Sequence, residues 1–216
     1  MSNAHVRWKA IVSQPFAENT YVGWCRDSSA CVLVDPGFEP DKIAEFVESA
    51  NLVPAAILNT HGHSDHIAGN AFCKDRWPDC PLVIGAGDSP KLTDPVQNLS
   101  AGYGLSLISP PADQTVAEGD VVQFADIELE VLETPGHSSG HVVFVMRSAD
   151  APVVLGGDVL FRGSIGRYDF PDSNYGELMH SIKQKLFLLP PETVVLPGHG
   201  PATTIGEEMA SNPFLR

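Results

Sequence analysis

With 216 residues, 43% of them hydrophobic and 19% charged, the chain is long enough for one domain with a sizeable core and needs no disulfide framework to fold. A formal charge of −14 repels phosphate backbones and argues against a nucleic-acid partner, and no run approaches the ~20 apolar residues of a membrane span. The N-terminal stretch has no apolar segment of signal-peptide type, so a cytoplasmic protein is expected, with Cys25, Cys31, Cys73 and Cys80 as reduced thiols.

The 19 glycines and 18 prolines predict many turns and short elements rather than a helical bundle. Val6–Ser13 and Thr20–Trp24 read as strands. "ACVLV" (Ala30–Val34) is a buried strand ending at the turn signal "DPGF", and "RDSSA" before it looks like a hairpin turn. Asp41–Ala50 is predicted helical, with Ile43, Phe46 and Val47 on one face. "AAIL" (Ala55–Leu58) is a short buried strand, and Ile67–Arg76 a helix with Ser64 or Asp65 near its N-cap. "PLVIGAG" follows as strand and turn. Ser89–Asp113, rich in Pro and Gly, is expected as a long loop over a functional site. Strands resume in "DVVQFADIELEVLETPG", with a hairpin at Phe124–Asp126, and continue in "HVVFVM" and "APVVLGGD". Asn174–Leu188 is a helix stopped by Pro190-Pro191, "TVVLPGHG" a last strand, and Ile205–Ala210 a short final helix.

Chemistry concentrates in "NTHGHSDHIAG", where His61, His63, Asp65 and His66 follow directly on an apolar strand. Three further stretches repeat the placement: "ETPGHSSGH" (His137), "LGGDVLF" (Asp158) and "LPGHGPA" (His199). Loops at strand ends aim side chains from a rigid sheet, so four such ends can deliver six or seven ligands to one edge. Imidazoles and carboxylates without a thiolate suit zinc, iron or manganese. His61 and His63 alternate along an extended loop and can hold one ion. Asp65 and His66, at the start of the next helix, are placed for a second, with Asp158 as the candidate bridge. The less specific reading, a helix-capping Asp65 and turn histidines, does not account for all four sites together. His141 begins a strand and reads as a supporting residue; His5 and His180 read as surface residues.

"THGHSDH" with "TPGHSSG", "GGD" and "PGHG" resembles the metallo-β-lactamase superfamily over essentially the whole chain. That resemblance implies a single domain with a four-layer αββα sandwich of two mixed sheets, the metals lying at one edge. It implies one metal site from His61, His63 and His137, a second from Asp65, His66 and His199, and Asp158 bridging two divalent ions, zinc first with iron or manganese as alternatives. "GDVLFRGSIGRYDFP" (Gly157–Pro171) is similar to the glyoxalase II-like branch, not to the antibiotic-hydrolysing one. The implied activity is hydrolysis of a small-molecule thioester such as S-lactoylglutathione by a metal-bridging hydroxide, with Asp65 orienting the nucleophile. The helical C-terminal domain of full-length glyoxalase II is expected to be missing, since 17 residues follow His199. Arg162 or Arg167 is expected either to meet a substrate carboxylate or to pin its own loop through Asp169 and Asp172. Tyr175 and Tyr103 are candidate wall residues. The competing readings are a mononuclear iron persulfide dioxygenase using His61, His137 and Asp158, or a lactonase or other ester hydrolase of the same superfamily.

Overall fold

A computed structural model describes residues 6–147 and 152–216. Among the described residues there are two six-stranded sheets. The first runs, in spatial order, β1 (Val6–Ser13), β2 (Glu18–Cys25), β3 (Ala30–Val34), β4 (Val53–Asn59), β5 (Leu82–Gly85) and β6 (Gln114–Val116). The second comprises β7 (Val121–Phe124), β8 (Ile127–Glu133), β9 (Val142–Met146), β10 (Val153–Gly157), β13 (Val194–Pro197) and β14 (Thr203–Thr204). A small hairpin, β11 (Leu160–Phe161) and β12 (Ser164–Ile165), follows β10.

Alternation along the strands gives each sheet two apolar faces, and four layers bury them all. Val32 and Val34 of β3 meet Val142, Phe144 and Met146 of β9 in the core between the sheets. Cys31 and Leu33 face outward onto α1 (Pro40–Ser49) and α3 (Asn70–Arg76) through Ile43, Val47 and Cys73. Val143 and Val145 face outward onto α4 (Tyr175–Gln184) and α5 (Ile205–Ser211) through Leu178, Ile182 and Ile205. This is the αββα sandwich implied by the sequence resemblance. Both sheets are mixed: β1 to β3 are antiparallel and β3 to β6 parallel, while β10 and β13 form the one parallel pair described in the second sheet.

Strand direction places the site. β8 and β10 each run antiparallel to β9, and β10 runs parallel to β13, so these three strands finish on one edge. Backbone bonds stitch the first sheet to the second along that edge: Val142 N–H donates to the Thr60 carbonyl at 2.8 Å, and Asn19 N–H to the Gly198 carbonyl at 2.7 Å.

The structure corrects several sequence expectations. The helix expected over 67–76 is two pieces, α2 (Ser64–Ile67) and α3, broken at Gly69. There the chain presses against the Pro36–Gly37 turn: Gly69 N–H donates to the Pro36 carbonyl at 2.8 Å, and a Cβ at Gly69 would lie 2.8 Å from the Gly37 oxygen. The N-cap of α2 is His63, not Ser64 or Asp65. Ser64 N–H instead donates to the Asn98 carbonyl at 2.9 Å. The segment 89–113 carries two short 3-10 turns, Ser89–Thr93 and Ser100–Tyr103, and is anchored by buried Leu92, Asn98 and Ser109. The hairpin after Phe124 is a two-residue turn, with Ala125 and Asp126 both at positive φ. All four cysteines are free, and burial pushes the Cys31, Cys73 and Cys80 thiols up to about 12. His180 is exposed, and His5 lies outside the described residues. No described helix is long and apolar enough to cross a membrane.

Candidate metal centre

Seven side chains converge at the edge where β4, β8, β10 and β13 end. Three overlapping groups have ligand atoms within 4.8 Å of one another: His61, His63 and His137; His61, His66 and Asp158; and Asp65, His66 and His199. Asp158 stands between the outer two. Its Oδ2 lies 3.5 Å from both His137 Nε2 and His199 Nε2, and its Oδ1 lies 3.5 Å from His66 Nε2. His199 Nε2 also faces Asp65 Oδ2 at 3.2 Å.

The histidines are held from behind. Carbonyl oxygens only accept, so His137 Nδ1 donates to the Arg167 carbonyl at 2.9 Å and His199 Nδ1 to the Phe16 carbonyl at 3.1 Å. His66 Nδ1 donates to Asp35 Oδ2 at 3.0 Å. Thr60 Oγ1 donates to the same carboxylate at 2.7 Å and therefore accepts from His61 Nδ1 at 3.0 Å. Tying Nδ1 fixes the tautomer and leaves Nε2 as a lone-pair donor turned inward. Asp35, at the end of β3, thus orients two histidines; in the sequence it is just the first residue of the turn "DPGF". His141 is buried behind Asp158, takes the Asp158 N–H on Nε2 at 3.1 Å and donates from Nδ1 to Thr134 Oγ1 at 2.9 Å. That is the supporting place expected of it.

A second buried hub sits beneath the loops. Asp88 accepts from the backbone N–H groups of Gly62 and Gly140, both at 2.8 Å, and from Ser138 Oγ at 2.5 Å. Its partner Lys91 lies 2.9 Å away and reaches on to Asp172 at 2.5 Å and to Ser138. The His61–His63 loop and the His137 loop therefore share one ionic anchor. Nothing in the sequence separates Asp88 and Lys91 from surface turn residues.

Electrostatics follows from burial and crowding. Burial alone would raise the Asp158 carboxyl, but the imidazoles of His66, His137 and His199 hold it well below the usual range. Burial lowers His66, yet Asp158, Asp65 and Asp35 outweigh it and raise its affinity for a proton. His61, His63 and His141 are pushed down by burial and by neighbouring imidazoles. Glu18, buried beside Asp35, Asp65 and Asp158, is raised well above its ordinary value chiefly by desolvation.

The residues fit a metal. His61 Nε2, His63 Nε2, His66 Nε2 and Asp158 Oδ1 are buried with no hydrogen-bond partner. His61, His66 and Asp158 form one such group, and orphaned polar atoms buried together are costly unless a cation satisfies them; His63 turns its other nitrogen, Nδ1, to His137 Nε2 at 2.9 Å.

A cavity of about 230 Å³ opens over this cluster, walled by Phe16, Leu99, Tyr103, Phe161 and Phe170. Arg167 is on its rim, where its guanidinium makes two 2.9 Å bonds to Asp169 and lies 4.2 Å over the Phe170 ring. The structure does not bring Arg162 or Tyr175 to the wall. Arg162 rides out on the β11–β12 hairpin to within 3.8 Å of Glu207, and Tyr175 packs on Tyr168 at 4.9 Å at the start of α4.

Two predictions arise here. A Cβ at Gly198 would lie 2.3 Å from Asp158 Oδ1 and 2.6 Å from His66 Cε1. Gly198→Ala is expected to weaken metal affinity about 10–100-fold and, through that loss, to lower the unfolding temperature of the metal-loaded protein. Competition with a chromophoric chelator reads it, and unchanged affinity would mean that the carboxylate has room to move. At Asp172, partial burial favours the neutral acid, but Lys91 and the Ser139 N–H hold the carboxyl at about 2. Because this folded value lies below the unfolded one, its stabilisation is complete above about pH 4 and is lost as pH falls towards 2. Asp172→Asn is expected to flatten stability across that window, as urea midpoints measured between about pH 2 and pH 5 would show.

A cluster of metal-binding side chains at the edge of an αββα sandwich defines a metallo-hydrolase class. The family model "Metallo-beta-lactamase superfamily" matches residues 14–199, and the chain belongs to that superfamily. The chain is 34% identical over 203 residues to hydroxyacylglutathione hydrolase GloC of Haemophilus influenzae, covering 93% of each. Among solved structures it is similar to BLEG-1, described as a B3 metallo-β-lactamase, with TM-score 0.92 and 36% identity over 97% of this chain and 99% of that one. It is also similar to TTHA1623 in a di-iron-bound form, with TM-score 0.82 and 38% identity over 96% of this chain and all of that one. The glyoxalase II-like resemblance expected from Gly157–Pro171 is matched by the likeness to GloC.

Proposed function

We propose that the protein is a dinuclear metal-dependent hydrolase of thioesters. The observation that carries this reading is the pair of candidate ligand clusters on either side of Asp158, whose oxygens lie 3.5 Å from His66, His137 and His199, with His61 Nε2, His66 Nε2 and Asp158 Oδ1 left without a hydrogen-bond partner. One cation would take His61, His63 and His137, the other Asp65, His66 and His199, with Asp158 between them. Zinc suits this donor set; the di-iron form of TTHA1623 keeps iron in view. Two such cations, when bound, lower the pKa of water towards ~7 and polarise a carbonyl.

The chain's own residues do the rest. The aromatic wall excludes bulk water and fixes the substrate over the cluster. Asp65, partly exposed to the cavity, orients the attacking water and takes its proton on a carboxylate oxygen. The C–O bond forms as the carbonyl π bond opens, and the C–S bond breaks as it closes again; of the two protons of the water, the one held by Asp65 passes to the leaving thiolate and the other is released, giving a carboxylate, a thiol and one proton. Hydroxyacylglutathione hydrolysis by GloC, as that protein's name states, supports the thioester class.

The test is a turnover panel with zinc-, iron- and manganese-loaded protein on S-lactoylglutathione, simple thioesters, a lactone and a chromogenic cephalosporin, with metal content measured alongside. Two ions per chain and thioester turnover are expected. One iron per chain with oxygen uptake would replace this reading with the persulfide dioxygenase, and turnover of the cephalosporin or lactone alone would replace the substrate class.

A further inference from the structure

The wall of the cavity carries information that the metal cluster does not. Beyond the candidate ligands it is lined by the apolar or aromatic Phe16, Leu99, Tyr103, Phe161 and Phe170 and by Ser64, and among the described residues the only lysine or arginine lining it is Arg167. That guanidinium, exposed at the rim, is already paired with Asp169 by two bonds, and the buried cation nearby, Lys91, is held by Asp88 and Asp172. A substrate with several carboxylates would find no free partner there, in a chain with 27 acidic against 13 basic residues.

The apolar surface also continues outward. A second groove, lined by Val96, Leu99, Ala101, Gly102, Tyr103 and Phe170, shares Leu99, Tyr103 and Phe170 with the first. Val96 and Tyr103 are 72% and 54% exposed, too much for a merely structural cluster. Leu99, at the junction, sits at φ +67, a conformation that leucine seldom adopts. The surroundings enforce it. Asn98, fully buried, accepts from Ser100 N–H at 3.0 Å and donates to the Leu107 and Lys91 carbonyls at 3.0 and 3.2 Å, while its own carbonyl takes Ser64 N–H at the start of α2. The apolar junction is thereby locked to α2, which bears Asp65 and His66. Strain retained beside a site points to a role in it.

We infer that this groove selects the acyl arm of the substrate: an uncharged, linear apolar chain of roughly four to eight carbons laid over Leu99 and Tyr103, in preference to a short hydroxyacyl group. The inference rests on the thioester hydrolase reading and refines its substrate.

The experiment is an acyl series (acetyl, butanoyl, hexanoyl, octanoyl) on the neutral carrier N-acetylcysteamine, with S-lactoylglutathione beside it, on metal-loaded protein. Each methylene buried in the groove is expected to raise kcat/KM roughly 3- to 4-fold, giving about tenfold from butanoyl to hexanoyl. Leu99→Gly keeps the backbone conformation while removing the side chain, and Tyr103→Ala trims an exposed one. Each is expected to reduce the hexanoyl-to-acetyl ratio at least about threefold with metal content unchanged. A flat or falling series, or S-lactoylglutathione exceeding the hexanoyl thioester, overturns the inference. Calorimetry with ketone analogues, in which a methylene replaces the sulfur, separates the two readings. Chain-length-dependent binding without turnover upholds the groove and removes the hydrolase, whereas turnover without chain-length dependence does the reverse.

Discussion

Asp158→Ala is expected to lower kcat/KM for a thioester by at least about 10³-fold, equivalent to about 4 kcal/mol of transition-state stabilisation. Its carboxylate faces His137 and His199 through one oxygen and His66 through the other, so no other described side chain serves both clusters in the same way. Asp158→Asn keeps the shape and removes the charge, and is expected to fall nearly as far. In both variants the bound metal should drop below two ions per chain while the circular dichroism spectrum is retained. Two ions and wild-type turnover in Asp158→Ala would refute the bridging role.

Lys91→Met is expected to destabilise the fold by about 3–5 kcal/mol, because it leaves the Asp88 charge buried without its counter-ion. Asp88 is fully buried and Lys91 nearly so, which puts this pair outside the weak, solvent-screened class of surface ion pairs. For a chain of this length the loss corresponds to roughly 6–20 °C in unfolding temperature. The double variant Asp88→Asn, Lys91→Met removes both charges and is expected to recover part of it. It should not recover metal affinity fully, since the amide cannot accept from Gly62, Ser138 and Gly140 as the carboxylate does. Additive losses in denaturant unfolding would show that the pair is not coupled.

The inward-facing ligands were legible in the sequence because each follows a short apolar strand, and a strand end points where the sheet points it. The residues behind them were not. Asp35 reads as a turn former, Asn98 as a loop residue and Lys91 as a solvated charge; their burial is a tertiary fact that local composition does not encode. Proximity in sequence misled in the other direction. Arg162 and Tyr175 follow soon after Asp158, yet the β11–β12 hairpin turns the first towards α5, and the second starts α4 beside Tyr168. The break at Gly69 escaped helical periodicity because it is imposed by the Pro36–Gly37 turn, distant in sequence.

The edge where the sheets meet has a mechanical consequence. The first sheet is built entirely from residues up to Val116 and the second from Val121 onward, and the candidate ligands divide between them, His61 to His66 on one part and His137, Asp158 and His199 on the other. Cations seated there would clasp the amino-terminal half of the polypeptide to the carboxy-terminal half. Since the unfolded chain offers no such clasp, free metal at 100 times its dissociation constant would add about 2.7 kcal/mol to the cohesion of the two halves, and the protein's persistence would follow the supply of metal.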